Sequence, residues 1–367
     1  MDLKQLVRPE VLAMTGYNPG PSLAELCRAH GVSKMAEMGT NENAWGSSPK
    51  ALAAIREALA RVERYPDAAS GALRAALAKA NAMTPEHFVA ANGADNLLSI
   101  IGACFLRPGD KVVVSSLTFP VYRSVASLAG ASFQEVPHKD YCHDLAAMAR
   151  AVDRNTRMVF VCNPNNPTGA CVPPRELEAF LHNLPESVVA VLDEAYLPFT
   201  SEEYRPDSRP LILAGRPLIT MGSFSKIYGL AGLRVGFAMA PPEIIGQMAK
   251  VREPFAVNSL AQAAAAAALE DEEFRLLSVN NNQEQRAALQ KGLAELGLFT
   301  PPSQSNFVFV ELGRPAPPVC EFLLDLGVQV RGMGPWGAPD CLRVTVGRPE
   351  ENRAFLEALK KALRKKP

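Results

Sequence analysis

The chain has 367 residues, nearly half of them apolar, which exceeds the roughly 250–300 residues at which single hydrophobic cores stop growing and predicts two lobes. Lysine plus arginine and aspartate plus glutamate both total 38, so there is no net positive field to hold nucleic acid and no acidic tail. The expected partners are small molecules and further copies of the chain.

The opening "MDLKQLVRPEVLAMTGYNPG" lacks the apolar core of a signal peptide, and no stretch reaches the roughly 18 apolar residues of a spanning helix. The reading is a soluble cytoplasmic protein. Residues 1–40 are too short to form a domain and are expected to pack on the smaller lobe or the rim of the site. From 41 to 270, the apolar runs "KVVVSS", "RMVFVCN", "SVVAVLD" and "PLITMGS" alternate with helix-length segments such as "GADNLLSIIGACFL" and "PRELEAFLHNL". Fully apolar strands alternating with amphipathic helices predict an α/β domain with a mostly parallel sheet covered on both faces. After "SLAQAAAAAALEDEEF" come another charged helix, "NFVFVEL", "FLLDLGVQVRGM", "CLRVTVG" and a closing helix, read as a smaller α/β lobe over 271–367. The cysteines at 27, 104, 142, 162, 171, 320 and 341 are odd in number and form no CxxC, which argues against a disulfide framework and a structural zinc site. Most are expected to be small core residues. His138 and His143 fall in a polar stretch and are expected at the surface, and no metal site is predicted.

In parallel sheets, functional groups collect beyond the carboxyl ends of the strands. Three such ends carry unusual chemistry: "VCNPNNPTG", "VLDEAY" and "MGSFSK". Lys226 lies in the glycine-rich "SFSKIYGLAGLRVGF", and a lysine becomes an imine-forming nucleophile when burial or a nearby cation such as Arg234 lowers its pKa. The flanking Ser223, Ser225 and glycine amides could bind a phosphate. A second phosphate donor set is "NGADNLL", where Gly93, Ala94 and Asp95 open a helix whose amino terminus favours anions, although Asp95 could equally be only its cap. Asp193, at a buried strand end, needs a cationic partner, either a protonated ring nitrogen or a structural ion pair. The steps Asn163–Pro164 and Asn166–Pro167 are rigid and either could be cis. They make a plain turn, or they hold Asn166 to donate to one ligand oxygen.

Through "NNPTG", "DEAY" and "SFSKIYGLAGLRVGF", in that order, the chain resembles the fold-type I pyridoxal-phosphate aminotransferases. "TNENAWGSSP", "RYPD", "GADNLL", "NSLAQ" and "CLRVTVG" bring it nearest the histidinol-phosphate aminotransferase family, over nearly the whole chain. The resemblance implies a large, mostly parallel seven-stranded-sheet domain with a smaller α/β domain, and pyridoxal 5′-phosphate as cofactor. It makes Lys226 the lysine that carries the cofactor and shuttles the proton, and Asp193 the partner of the pyridinium nitrogen. Tyr196 and Asn166 bind the phenolic oxygen, and Phe119 of "TFPVY" stacks on the ring. The phosphate falls to Ala94, Asp95, Ser223, Ser225 and Arg234, with Tyr65 reaching over from the second subunit of a homodimer. Arg343 and Arg331 bind substrate anions, while Tyr17 and Asn43 cover the site or anchor the segment to its rim.

The implied reaction is transfer of the amino group of L-histidinol phosphate to 2-oxoglutarate in histidine biosynthesis. Ala44, Asn96 and Phe119 stand where the family often has proline, glutamate and tyrosine, none of them a loss of needed chemistry. Relatives with this core act on aromatic amino acids, and some decarboxylate a phosphorylated threonine, so these are the alternatives within the class. A ligand-sensing module joined to a DNA-binding domain leaves no residues for that domain, and a Schiff-base aldolase leaves Asp193 and Asn166 without purpose. The motifs GxxxxGK[ST], HExxH and GxSxG do not occur.

Overall fold

Extended segments that are apolar on both faces can be buried only between two layers, and the valine-rich runs accordingly form the centre of a sheet. The structure is a computed structural model that describes residues 3–14, 16 and 20–365. In chain order its strands are β1 (Ala36–Glu37), β2 (Phe88–Ala91), β3 (Lys111–Ser115), β4 (Ser132–Val136), β5 (Thr156–Cys162) and β6 (Val189–Asp193). They continue with β7 (Leu218–Ser223), β8 (Gly236–Met239), β9 (Phe307–Glu311), β10 (Val328–Gln329), β11 (Arg331–Gly332) and β12 (Cys341–Thr345).

Seven strands make one sheet in the order β2-β8-β7-β6-β5-β3-β4. Strands β4, β3, β5, β6 and β7 are parallel, and β8 runs antiparallel to both β7 and β2. The mostly parallel seven-stranded sheet is the one expected of a fold-type I transferase. Alternate residues serve the two faces: Val113, Val159, Val161 and Leu192 join one core, and Val112, Val114, Phe160 and Val191 the other. Each such side chain contributes roughly 1.5–3 kcal/mol of transfer free energy. The second core includes the helix Ala94–Phe105, whose amino terminus is thereby held at the carboxyl edge of the sheet.

The smaller lobe carries the antiparallel sheet β11-β12-β9 over a core of Val308, Leu342, Phe355 and Leu359. Strand β1 pairs in parallel with β10, Ala36 opposite Val328, and Met38 enters the same core. The earlier part of the amino-terminal segment does not share this lobe: Arg8 Nη2 donates to Leu128 O (2.6 Å) on a helix of the large sheet. The helix Glu272–Glu295 serves both lobes, with Val279 packed on Phe199 and Ile227 and with Leu289 and Leu293 in the smaller core.

One surface expectation is corrected. His143 is buried, its Nε2 2.7 Å from Cys162 O, because the loop after β4 folds inward over the end of β5. Burial pushes its pKa down to about 4, so the ring is neutral. His138 is half-buried and stacks on Tyr141 at 5.3 Å between centroids. All seven cysteines are free; Cys162 and Cys341 are core residues and the others half-buried. Among the described residues no helix is long and apolar enough to cross a membrane, and no cluster of acids, histidines and cysteines could hold a metal.

The loop after β7 passes close to residues 46–48: Ser47 Oγ donates to Gly229 O (2.7 Å) and Ser48 N to Tyr228 O (3.3 Å). Gly229 has φ of +67°, and a Cβ there would overlap the Gly46 carbonyl. Gly229→Ala is therefore expected to lower the unfolding free energy by roughly 3 kcal/mol. Urea unfolding measures it, and an unchanged midpoint would mean that the two backbones can part without cost.

Candidate active site

The carboxyl ends of β5, β6 and β7 lie side by side, Cys162 opposite Asp193 and Asp193 opposite Met221. Beyond them opens a cavity of about 420 Å³. Its floor holds Asp193, 5% exposed, with Oδ2 accepting from Tyr122 Oη (2.8 Å) and Oδ1 from Ala195 N (3.1 Å). Burial raises the pKa of this carboxyl against the pull of both hydrogen bonds, so its charged form favours a cation in the cavity. Tyr122 was not singled out from the sequence; it follows Phe119 by three residues, the spacing that puts both on one side of a helical turn.

Asn163–Pro164 and Asn166–Pro167 are both cis. The turn is tied to the loop after β3 by Asn165, which donates to Leu117 O (3.0 Å) and accepts from Thr118 Oγ1 (2.7 Å). Asn166 lines the cavity, and its Oδ1 accepts from Arg343 Nη1 (2.7 Å), which leaves Nδ2 as the polar atom free to donate inward. Tyr196 and Phe119 line the same wall.

At the opposite end, Ala94 and Asp95 meet Ser223, Ser225 and Arg234. The helix starting at Ala94 has Gly93 as its cap, with no side chain bonded to its first amides. Asp95 is therefore a first-turn residue rather than the cap. Gly93 has φ of +85°, and a Cβ there would come within 2.8 Å of Arg234 Nη2. Uncapped amides, two hydroxyls and a guanidinium make an anion cradle.

Lys226 stands between these ends, its Nζ 3.2 Å from Thr40 O and 5.6 Å from the Tyr196 ring centroid. Burial, followed by the charge on Arg343, brings its pKa down to about 8; Arg234, the cation visible from the sequence, contributes less. At the mouth, Arg331 and Arg343 are directly opposed across β11 and β12, and both line the cavity. Like charges so placed repel unless an anion lies between them. Trp336, which sequence reasoning missed, lines the mouth beside them, 5.7 Å from ring centroid to the Arg343 guanidinium carbon.

Two of the expected residues are not brought together with these. Asn43 does not line the cavity: its Nδ2 donates to Ile227 O (2.9 Å) and Ser278 Oγ (3.1 Å), so it anchors the segment instead of covering the site. Its neighbour Asn41 lines the cavity in its place. Tyr65 is 83% exposed, away from this cavity, and stacks on Phe255 at 4.7 Å. Tyr17 lies outside the described residues.

The family described as aminotransferase class I and II matches residues 33–359. The chain belongs to the class I and II aminotransferases. As an aminotransferase it is an enzyme that takes a small-molecule amino donor and a 2-oxo acid acceptor. It is 43% identical over 360 residues to histidinol-phosphate aminotransferase 2 of Pseudomonas fluorescens Pf0-1, covering 98% of this chain and 97% of that one. The histidinol-phosphate aminotransferase of Moorella thermoacetica is 42% identical, with 97% of this chain and 92% of that one covered. Among solved structures, the histidinol-phosphate aminotransferase of Sinorhizobium meliloti in complex with pyridoxal-5′-phosphate superposes with a TM-score of 0.90 at 30% identity, covering 98% and 97% of the two chains.

In the cofactor-free aminotransferase, acylation of the Lys226 amine by a small amine-directed reagent should rise with pH about a midpoint near 8, because only the deprotonated amine reacts. Arg343→Gln should move that midpoint upward. Peptide mapping of the labelled protein reads both, and a wild-type midpoint at the ordinary lysine value would show that neither burial nor Arg343 acts on the amine.

Proposed function

We propose that this aminotransferase transfers the amino group of L-histidinol phosphate to 2-oxoglutarate, with pyridoxal 5′-phosphate as cofactor, giving imidazole-acetol phosphate and L-glutamate in histidine biosynthesis. The observation that carries the reading is one cavity holding an amine of lowered pKa, a buried carboxylate and an anion cradle. The choice of donor rests on relatives of that name at 42–43% identity over nearly the whole chain.

A phosphorylated pyridine fits this donor set at both ends. The amides of Ala94 and Asp95, with Ser223, Ser225 and Arg234, hold the phosphate, where Gly93 leaves room that a Cβ would fill. Asp193 would pair with the ring nitrogen, whose positive charge would offset the cost of a buried carboxylate. Asn166 and Tyr196 would donate to the phenolic oxygen, and Phe119 would cover the ring face. When bound, the cofactor supplies a carbonyl that accepts the amino group and a protonated ring that disperses negative charge from the substrate carbon. Lys226 Nζ removes the proton from the donor carbon that bears the amino group and later returns one. Arg343 and Arg331 take the donor's phosphate in one half-reaction and the acceptor's carboxylate in the other, since a planar fork suits both.

We divide the chain into an amino-terminal segment (1–40), a large cofactor-binding domain (41–270) and a small domain (271–367). The enzyme works as a cytoplasmic homodimer in which Tyr65 reaches the phosphate of the other subunit. An aromatic ring exposed outside its own site, stacked on the half-exposed Phe255, supports that role.

Protein supplied with cofactor should show a visible band of the bound ligand that shifts on adding amino donor, and its absence overturns the reading. Comparing kcat/KM for histidinol phosphate, phenylalanine and tyrosine tests the donor: a preference above about a hundredfold for an aromatic amino acid, about 2.7 kcal/mol, replaces it. For the shared site, Lys226→Ala and Tyr65→Ala proteins are unfolded together and refolded. Hybrid dimers carry one intact site of two, so the mixture should recover about a quarter of wild-type activity, whereas no recovery places Tyr65 outside the neighbouring site.

A further inference from the structure

Asn41 is 1% exposed and has a φ of +59°, in the left-handed region. Its backbone N–H donates to Thr345 Oγ1 (3.0 Å), and Thr345 Oγ1 lies 3.1 Å from Asn41 Oδ1. The hydroxyl accepts from the amide nitrogen, so its single proton goes to Oδ1, and this fixes which way the Asn41 carboxamide faces. Nδ2 is therefore the atom turned to Tyr196 Oη, at 3.1 Å. The phenol accepts there, and its own proton must be donated elsewhere. Tyr196 lines the cavity.

We propose that Thr345 and Asn41 are positioning residues that turn the Tyr196 hydroxyl proton into the cavity, so that Tyr196 meets the bound cofactor only as a donor. This inference rests on the reading of the cofactor given above. Arg343, two residues before Thr345 on the same face of β12, orients Asn166 as a donor in the same way. One strand of the small lobe thus sets two donors of the large lobe, and the cavity offers the phenolic oxygen two protons. Such a site selects the proton-free oxygen, which two donors stabilise.

The charged and titratable groups around Tyr196 are Arg343 from β12, Cys162 at the end of β5, Asp193 at the end of β6 and Lys226 over the ring. None is altered by the variants that follow. In the holoenzyme, the pH titration of the visible band reads the proton shared near the phenolic oxygen. Asn41→Asp presents a carboxylate that takes the Tyr196 proton away from the cavity, and Thr345→Val removes the hydroxyl that fixes the carboxamide. Each should raise the titration midpoint by roughly one pH unit or more, while Thr345→Ser should keep the wild-type midpoint. As a second measurement, both damaging variants should lose affinity for pyridoxal 5′-phosphate but not for its analogue lacking the phenolic oxygen. A wild-type band with unshifted midpoints in Asn41→Asp and Thr345→Val overturns this inference alone, as does equal loss of affinity for both ligands. No visible band in the wild-type protein overturns the cofactor reading, and this inference with it.

Discussion

The site depends on a carboxylate buried at the end of a central strand. Asp193 has parallel neighbours on both sides and little exposure, and its hydrogen bonds from Tyr122 and Ala195 do not offset burial. A cation beyond the strand end favours the charged form. The opposite end of the same cavity is electrically reversed, with the amino terminus of Ala94–Phe105 and Arg234 disposed toward an anion. A ligand with a cationic ring and a phosphate answers both ends at once, and Lys226 stands between them.

The lysine is itself held in a balance. Burial and the two arginines disfavour its charge, whereas Glu42 and Glu37 favour it. The outcome, a pKa of about 8, raises the neutral fraction at pH 7 by roughly two orders of magnitude over an ordinary lysine. The first of those arginines, Arg343, also orients Asn166 and accompanies Arg331 at the mouth. One guanidinium from the small lobe therefore connects the amine, the donor set and the anion site, and those functions cannot be altered independently.

Local patterns made much of this legible. The valine-rich runs identify the parallel strands, because apolarity on both faces has no other burial solution, and the motifs after β5, β6 and β7 mark the edge where ligands bind. Lys226, Asp193, Asn166, Ser223, Ser225 and Arg234 all line one cavity because those strand ends are neighbours. The segment around residue 40 was harder to read. "TNENAWG" offers two asparagines, and nothing local distinguishes Asn41, turned to Tyr196, from Asn43, held by Ile227 and Ser278. His143 was misplaced for the same reason: a polar stretch reads as surface until its loop is seen to fold over Cys162.

By itself, then, the sequence determined the α/β architecture, the strand ends that carry chemistry, and the residue types a phosphate-bearing, lysine-dependent site requires. These follow from periodicity and from polar groups placed at the ends of apolar runs, both of which are local properties. The tertiary structure decided which arginine most depresses the lysine, which asparagine enters the site, and that Tyr122 supports Asp193. Those pairings join residues 71 to 155 positions apart, so only the packing of distant segments on one another specifies them.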